Sequence, residues 1–187
     1  YIIEKCLGNK VKLHFKSFFQ VNPIQMEVLY NQAIKAANLS GNETCIDMYA
    51  GTGTIGMAVS KHAKSVIGVE IVKEAVDNAN DNTKMNYLDN CHYVCQDATD
   101  FAHEHKNDKI GVVFIDPPRK GMTENGIIDT ITMQPDKIIY VSCNPKTLSR
   151  DLKIFKNYGY QCEYVQPVDM FCQTTGLECV AKLVKIV

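Results

Sequence analysis

From Cys45 to the end of the chain, short runs rich in β-branched and apolar residues alternate with stretches of helical periodicity, and no other feature restricts the possible folds as much. The β-rich runs are CIDMY, SVIGVE, CHYVC, IGVVFID and KIIYVS, followed by two longer ones, about QCEYVQPVDM and LECVAKLVKIV. Between them, Val72, Ala75, Val76 and Ala79 share a helical face, as do Leu148, Leu152 and Phe155, with Gly159 placed to end that second helix. Strands joined by helices cannot pair as hairpins, so the expectation is an α/β fold of Rossmann-like type whose mostly parallel sheet is covered on both faces. The last two runs have no helix between them and should form an antiparallel hairpin. Ligands of such sheets bind at the carboxyl ends of the strands.

Upstream of the alternation, residues 1–20 alternate charged and apolar positions through Val11, Leu13 and Phe15, the pattern of short strands or a hairpin. They read as a β extension to a single domain spanning 21–187. Asn22-Pro23 then predicts a helix start, with Asn as cap and Pro at the first position, followed by Met26, Leu29, Tyr30, Ala33 and Ala37 and ending near Leu39. A composition of 45% hydrophobic and 22% charged residues in 187 fits one compact domain. No run has membrane-spanning length and no signal-peptide pattern is present, so a cytoplasmic protein is expected. The chain begins at Tyr1, which reads as a piece cut from a longer protein.

Eight cysteines, at positions 6, 45, 91, 95, 143, 162, 172 and 179, lack CxxC pairing, so neither a zinc ribbon nor an iron–sulfur cluster is expected and most are reduced core or surface thiols. A net charge of -1 excludes a domain that holds nucleic acid by phosphate contacts alone.

Chemistry-bearing residues gather at the predicted strand ends. After the first core strand, DMYAGTGTIG has Gly51 and Gly53 where backbone must approach a ligand closely, without the spacing of a dinucleotide fingerprint or a P-loop. Glu70 ends the next strand, where an acid can accept from two ribose hydroxyls, and Asp97 follows the third, placed for an adenine amino group or for a helix cap. The fourth strand runs into DPPRKG, in which Pro117 and Pro118 stiffen the turn that carries Asp116. Arg119 and Lys120 beside it are either solvated surface or a phosphate contact. Cys143 follows the fifth strand and precedes a helix, whose amino terminus should lower its pKa, making it the candidate nucleophile. Glu178 opens an otherwise apolar strand and is either a solvated terminus or a functional acid.

The glycine turn, ribose acid and adenine acid resemble those of class I S-adenosylmethionine-dependent methyltransferases. Together FFQVNP, DMYAGTGTIG, GVE, DPPRKG, SCNPKTLSRDL and DMFCQTTGLE resemble the RNA uracil-C5 methyltransferase family over nearly the whole chain. The resemblance implies S-adenosyl-L-methionine as cofactor, with Gln20, Tyr49, Gly51, Thr54, Glu70, Asp97 and Asp116 as its contacts, no metal in this segment, Cys143 as nucleophile and Glu178 as base. It implies an RNA substrate, with 23S rRNA favoured over tRNA by the wording of DPPRKG and SCNPKTLSRDL, and an upstream RNA-binding domain, in some members with a cysteine-ligated cluster. The chain departs from the family at Gly176, where a histidine commonly precedes the Val-Glu pair. The alternatives are an amine methyltransferase, which needs no thiol, and an RNA- or cofactor-binding module without catalysis.

Overall fold

In the computed structural model, which describes residues 1–14 and 19–186, seven strands form one sheet. Phe15 and Phe18 of the motifs above lie outside the described residues. Strands β1 (Ile2–Cys6) and β2 (Asn9–Leu13) make a separate antiparallel hairpin, as the alternation predicts. Its inner residues Cys6, Val11 and Leu13 are buried in the same apolar cluster as α1 (Pro23–Ala37), so the extension shares the main core. The α1 helix starts where expected: Asn22 caps it by accepting from Gln25 N, and Pro23 takes the first position. Its end comes two residues early because Asn38 adopts a left-handed backbone (φ 46°) and stops the helix.

The alternating segment gives β3 (Thr44–Met48), α2 (Thr54–Ser60), β4 (Ser65–Glu70), α3 (Lys73–Met85), β5 (Cys91–Cys95), α4 (Ala98–Glu104), β6 (Val112–Ile115), α5 (Glu124–Thr132), β7 (Lys137–Ser142) and α6 (Pro145–Asn157). Strands β8 (Tyr160–Val168) and β9 (Glu178–Lys185) close the chain. The sheet order is β5-β4-β3-β6-β7-β9-β8, parallel through β7 and antiparallel thereafter. The hairpin of the last two strands is as expected, but β9, not β8, inserts next to β7, a choice that local periodicity does not encode. Helices cover both faces: Phe114 packs with α1 residues Met26 and Leu29, while its neighbour Ile115 packs with Tyr140 and Phe155 on the other side. A strand buried on both faces must be apolar at every position, and Val112–Ile115 is. Val72 is the exception to the predicted helical face; it stands before α3, half exposed.

Two features of the topology build the site. Strand order reverses between β3 and β6, leaving a crevice at their carboxyl ends. Because β9 runs against its neighbours, its first residue, Glu178, lies at the same edge where β7 ends.

Candidate functional site

A cleft of about 1470 Å³ opens at this edge, lined by residues from both halves of the sheet. Its floor begins with the glycine turn after β3. Tyr49 (φ 60°), Gly51 (φ 54°) and Gly53 (φ 78°) are all left-handed, and for a tyrosine that backbone is strained, which local function commonly retains. The two glycines serve different purposes. A Cβ on Gly51 would meet nothing within 4 Å, so this backbone faces open cleft; a Cβ on Gly53 would lie 2.4 Å from the Tyr93 ring. Tyr93, on β5, supports the turn from below by donating its hydroxyl to the Gly53 carbonyl at 2.7 Å. The sequence reading gave Tyr93 no role, although Gly68 inside β4 was a signal: its missing side chain makes room for the same ring.

Glu70 joins two turns. One carboxylate oxygen accepts from Gly51 N and the other from Val72 N, both at 3.0 Å, so the acid is held at the rim of the glycine turn and lines the cleft. Under the turn, Asp47 is 2% exposed and accepts from Gly56 N at 2.8 Å. Burial, then Asp116 and Glu70, push its pKa up to about 8 despite that hydrogen bond. Tyr30 of α1 shares a hydrogen bond with Thr54 at 3.0 Å and lines the same wall. Gln20 is buried at 7% exposed and also lines the cleft. Of the two readings for Asp97, the helix cap is present: one of its carboxylate oxygens caps α4 by accepting from Thr99 N and Asp100 N, and the residue lies outside the cleft lining.

At the other end of the cleft stand Asp116, Arg119, Cys143 and Glu178. The register of β7 on β9 brings the last two together. Ser142 pairs with Cys179, so Cys143 and Glu178, the next residues outward, both lie at this end of the pair and line the cleft. Glu178 is no solvated terminus: it is 3% exposed, and burial raises its pKa to about 7 against the lowering effect of Arg119. Asp116 is raised to about 7 by burial and then by Glu178. The Cys143 thiol is shifted up, not down as its place before α6 suggests. Burial contributes most, followed by Glu178 and Asp116, and Arg119 opposes them. Burial together with the two carboxylates leaves the thiol above its usual value even at the start of α6.

Gly176, at the departure from the family pattern, packs against Phe171, whose ring would lie 2.9 Å from a Cβ there. Phe171 also lines the cleft, so it fills the space that a side chain at 176 would need.

With this geometry in place, comparison with known proteins is decisive. The sequence profile described as tRNA (Uracil-5-)-methyltransferase matches residues 8–186. The chain belongs to that family. Among curated relatives, an uncharacterized RNA methyltransferase of Streptococcus mutans is 44% identical over 98% of this chain and 41% of its own length, and one of Listeria innocua is 45% identical over 97% and 41%. This chain thus spans about two fifths of the length of the curated relatives it matches. Among solved structures, the tRNA (uracil-54, C5)-methyltransferase of Pyrococcus abyssi in complex with S-adenosyl-L-homocysteine superposes with a TM-score of 0.79 at 30% identity, covering 98% of this chain and 44% of that one. The M. jannaschii tRNA m1G37 methyltransferase has a TM-score of 0.75 at 18% identity over 99% and 56%, a likeness of fold. Family membership agrees with the resemblance drawn from the motifs. Among the described residues no helix is long and apolar enough to cross a membrane.

Proposed function

We propose that this chain is the catalytic part of an S-adenosyl-L-methionine-dependent enzyme that methylates C5 of a uridine in RNA, giving 5-methyluridine. The observation that carries the reading is the presence of Cys143 and Glu178 at the same end of the β7–β9 pair, in one cleft with the glycine turn and Glu70.

The residues present fit the cofactor. Gly51 leaves open space against the backbone. Glu70, Glu74, Asp77 and Asp81 outnumber Lys12 and Arg119 along the cleft even before Asp116 and Glu178 are counted, which suits a cationic ligand and disfavours a pyrophosphate. Glu70 would hold the ribose hydroxyls, and Gly51, Tyr49, Thr54, Gln20 and Asp116 would surround the rest. Asp97 would reach the adenine amino group with the carboxylate oxygen that its cap leaves over. When bound, the cofactor supplies an electrophilic methyl group.

Carbon C5 of uracil is a weak nucleophile, and addition at C6 makes it a strong one. The Cys143 thiolate forms a bond to C6, and the displaced electron pair becomes available at C5. After C5 has been methylated, Glu178 takes the C5 proton, the C5–C6 double bond re-forms and the C6–sulfur bond breaks, returning the thiolate. Arg119 favours the charged forms of both Cys143 and Glu178. The target base must leave its stack to enter, at least cost in a loop. The acceptor is taken as large-subunit rRNA, on the wording of DPPRKG and SCNPKTLSRDL, with tRNA as the alternative supported by the P. abyssi relative.

The test is a denaturing gel of full-length protein incubated with cofactor and 5-fluorouridine-substituted rRNA or tRNA. Fluorine does not leave as a proton does, so a covalent band that disappears in Cys143→Ala is expected, on one RNA class only. No band on either RNA, with cofactor and RNA binding demonstrated, would move the reading to nitrogen methylation.

A further inference from the structure

The turn that carries Arg119 has a fixed connection to the helix that follows Cys143. Asn144 Nδ2 and Thr147 Oγ1 donate to the Arg119 carbonyl at 3.2 and 3.3 Å. Arg150 Nη2 donates to the carbonyls of Lys120 and Met122 at 3.0 and 2.9 Å, and Met122 N donates to Asp151 Oδ2 at 2.8 Å. Residues 144, 147 and 150–151 recur once per turn on one side of the α6 start, so the helix presents a ladder of polar groups to a loop that has no regular structure of its own. The ladder is anchored in the core. Asp151, 0% exposed, accepts from the Tyr140 hydroxyl at 2.7 Å and from Arg150 Nε at 2.8 Å.

Gly121 is where the loop crosses this pair. Its φ is +73°, and a Cβ there would lie 2.5 Å from Asp151 Oδ2 and 2.7 Å from Arg150 Nη2. Asp151 is fully buried while the Arg150 side chain is half exposed, so the pair is anchored in the core at its acidic end and meets the loop at its cationic one.

We infer that Arg150 and Asp151 are positioning residues that fix Arg119 relative to Cys143 and Glu178, so that the nucleophile and its nearest cation move as one body. The inference rests on the C5 reading for its chemistry. Lys120 and Arg119 are exposed, and without the ladder their loop would sample many arrangements. Misplacing a charged group by about 1 Å is enough to cost ~10²-fold in rate.

The experiment compares full-length wild type with Arg150→Lys, which cannot span the same carbonyls and carboxylate, and with Gly121→Ala, whose Cβ would press on Asp151 Oδ2 and Arg150 Nη2 and so disturbs the ladder from the loop side with both residues kept. Three quantities are measured: alkylation of Cys143 against pH, followed by peptide mass spectrometry; single-turnover adduct formation on 5-fluorouridine RNA; and S-adenosyl-L-homocysteine affinity by calorimetry. In both variants the Cys143 titration midpoint should rise and adduct formation should slow about 10- to 100-fold. Cofactor affinity should stay within about twofold, because Glu70, Gly51, Tyr49 and Thr54 lie on the other half of the sheet and Asp116 precedes the tethered part of the loop. An unchanged midpoint and adduct rate in both variants would overturn the inference. Loss of cofactor binding in parallel with rate would do the same, by showing a merely structural role. If wild type forms no adduct, the C5 reading fails, and the alkylation profile alone then decides whether the ladder positions Arg119.

Discussion

Cys143 and Glu178, 35 positions apart, line one cleft, each one step outward from the last paired residues of β7 and β9, Ser142 and Cys179. The carboxylate is one of the charges that push the thiol up, and the thiolate must form beside it.

Removing that charge should therefore make the thiol more acidic while stopping turnover. In Glu178→Gln, the midpoint for alkylation of Cys143 is expected to fall below the wild-type value, and incubation with cofactor and unmodified RNA should leave a lasting covalent adduct. An unshifted midpoint would separate the two residues; prompt turnover by the variant would remove Glu178 from the base role.

The pH dependence of the wild type has a defined sign. On the proposed roles Glu178 has to be ionised to take the C5 proton, and it loses its own proton at about 7, while Cys143 has to be a thiolate, and its thiol is shifted above the ordinary value. Both requirements favour high pH. The rate of kcat/KM should climb steeply below pH 7 and less steeply from 7 to 9, and adduct formation by Glu178→Gln should lose the steeper segment. A profile that falls with pH would contradict the assignment of roles.

Asp47 makes a stability prediction of the same kind. An unfolded chain releases the carboxyl proton near pH 4, whereas the folded one keeps it to about 8, so over that window the native state binds more protons and stability declines as pH rises. Asp47→Asn still accepts from Gly56 N and carries no such charge. Denaturant unfolding should find the variant close to wild type at pH 4 and more stable at pH 8; a difference that does not vary with pH would remove Asp47 as the source.

The turn support can be tested through Gly68, where a Cβ would lie 2.0 Å from the Tyr93 ring. Gly68→Ala should cost about 1–3 kcal/mol by overpacking. In the background of Tyr93→Leu, whose smaller side chain vacates the space, the same substitution should cost less, measured as a non-additive double-mutant cycle. Equal cost in both backgrounds would mean that Tyr93 is not what the glycine accommodates.

The alternation of apolar runs and helical stretches determined the α/β class, the positions of the strands and the edge at which a ligand binds, because side-chain periodicity and strand-end chemistry are local. The Asn22-Pro23 start and the antiparallel close were legible for the same reason, and the motifs around Cys143, Asp116 and Glu178 carried the family. What each acid does was not legible. Asp97 and Glu70 have similar sequence settings, yet one caps a helix outside the cleft lining and the other ties the glycine turn to the cleft rim. That Cys143 is shifted up depends first on its burial and then on the carboxylates beside it, and insertion of β9 beside β7 is what brings Glu178 there. The local sequence thus set which groups occupy the strand ends. Strand order and register, fixed only when both faces of the sheet are packed, decided which of those groups meet, how dry their surroundings are and therefore which charges they carry.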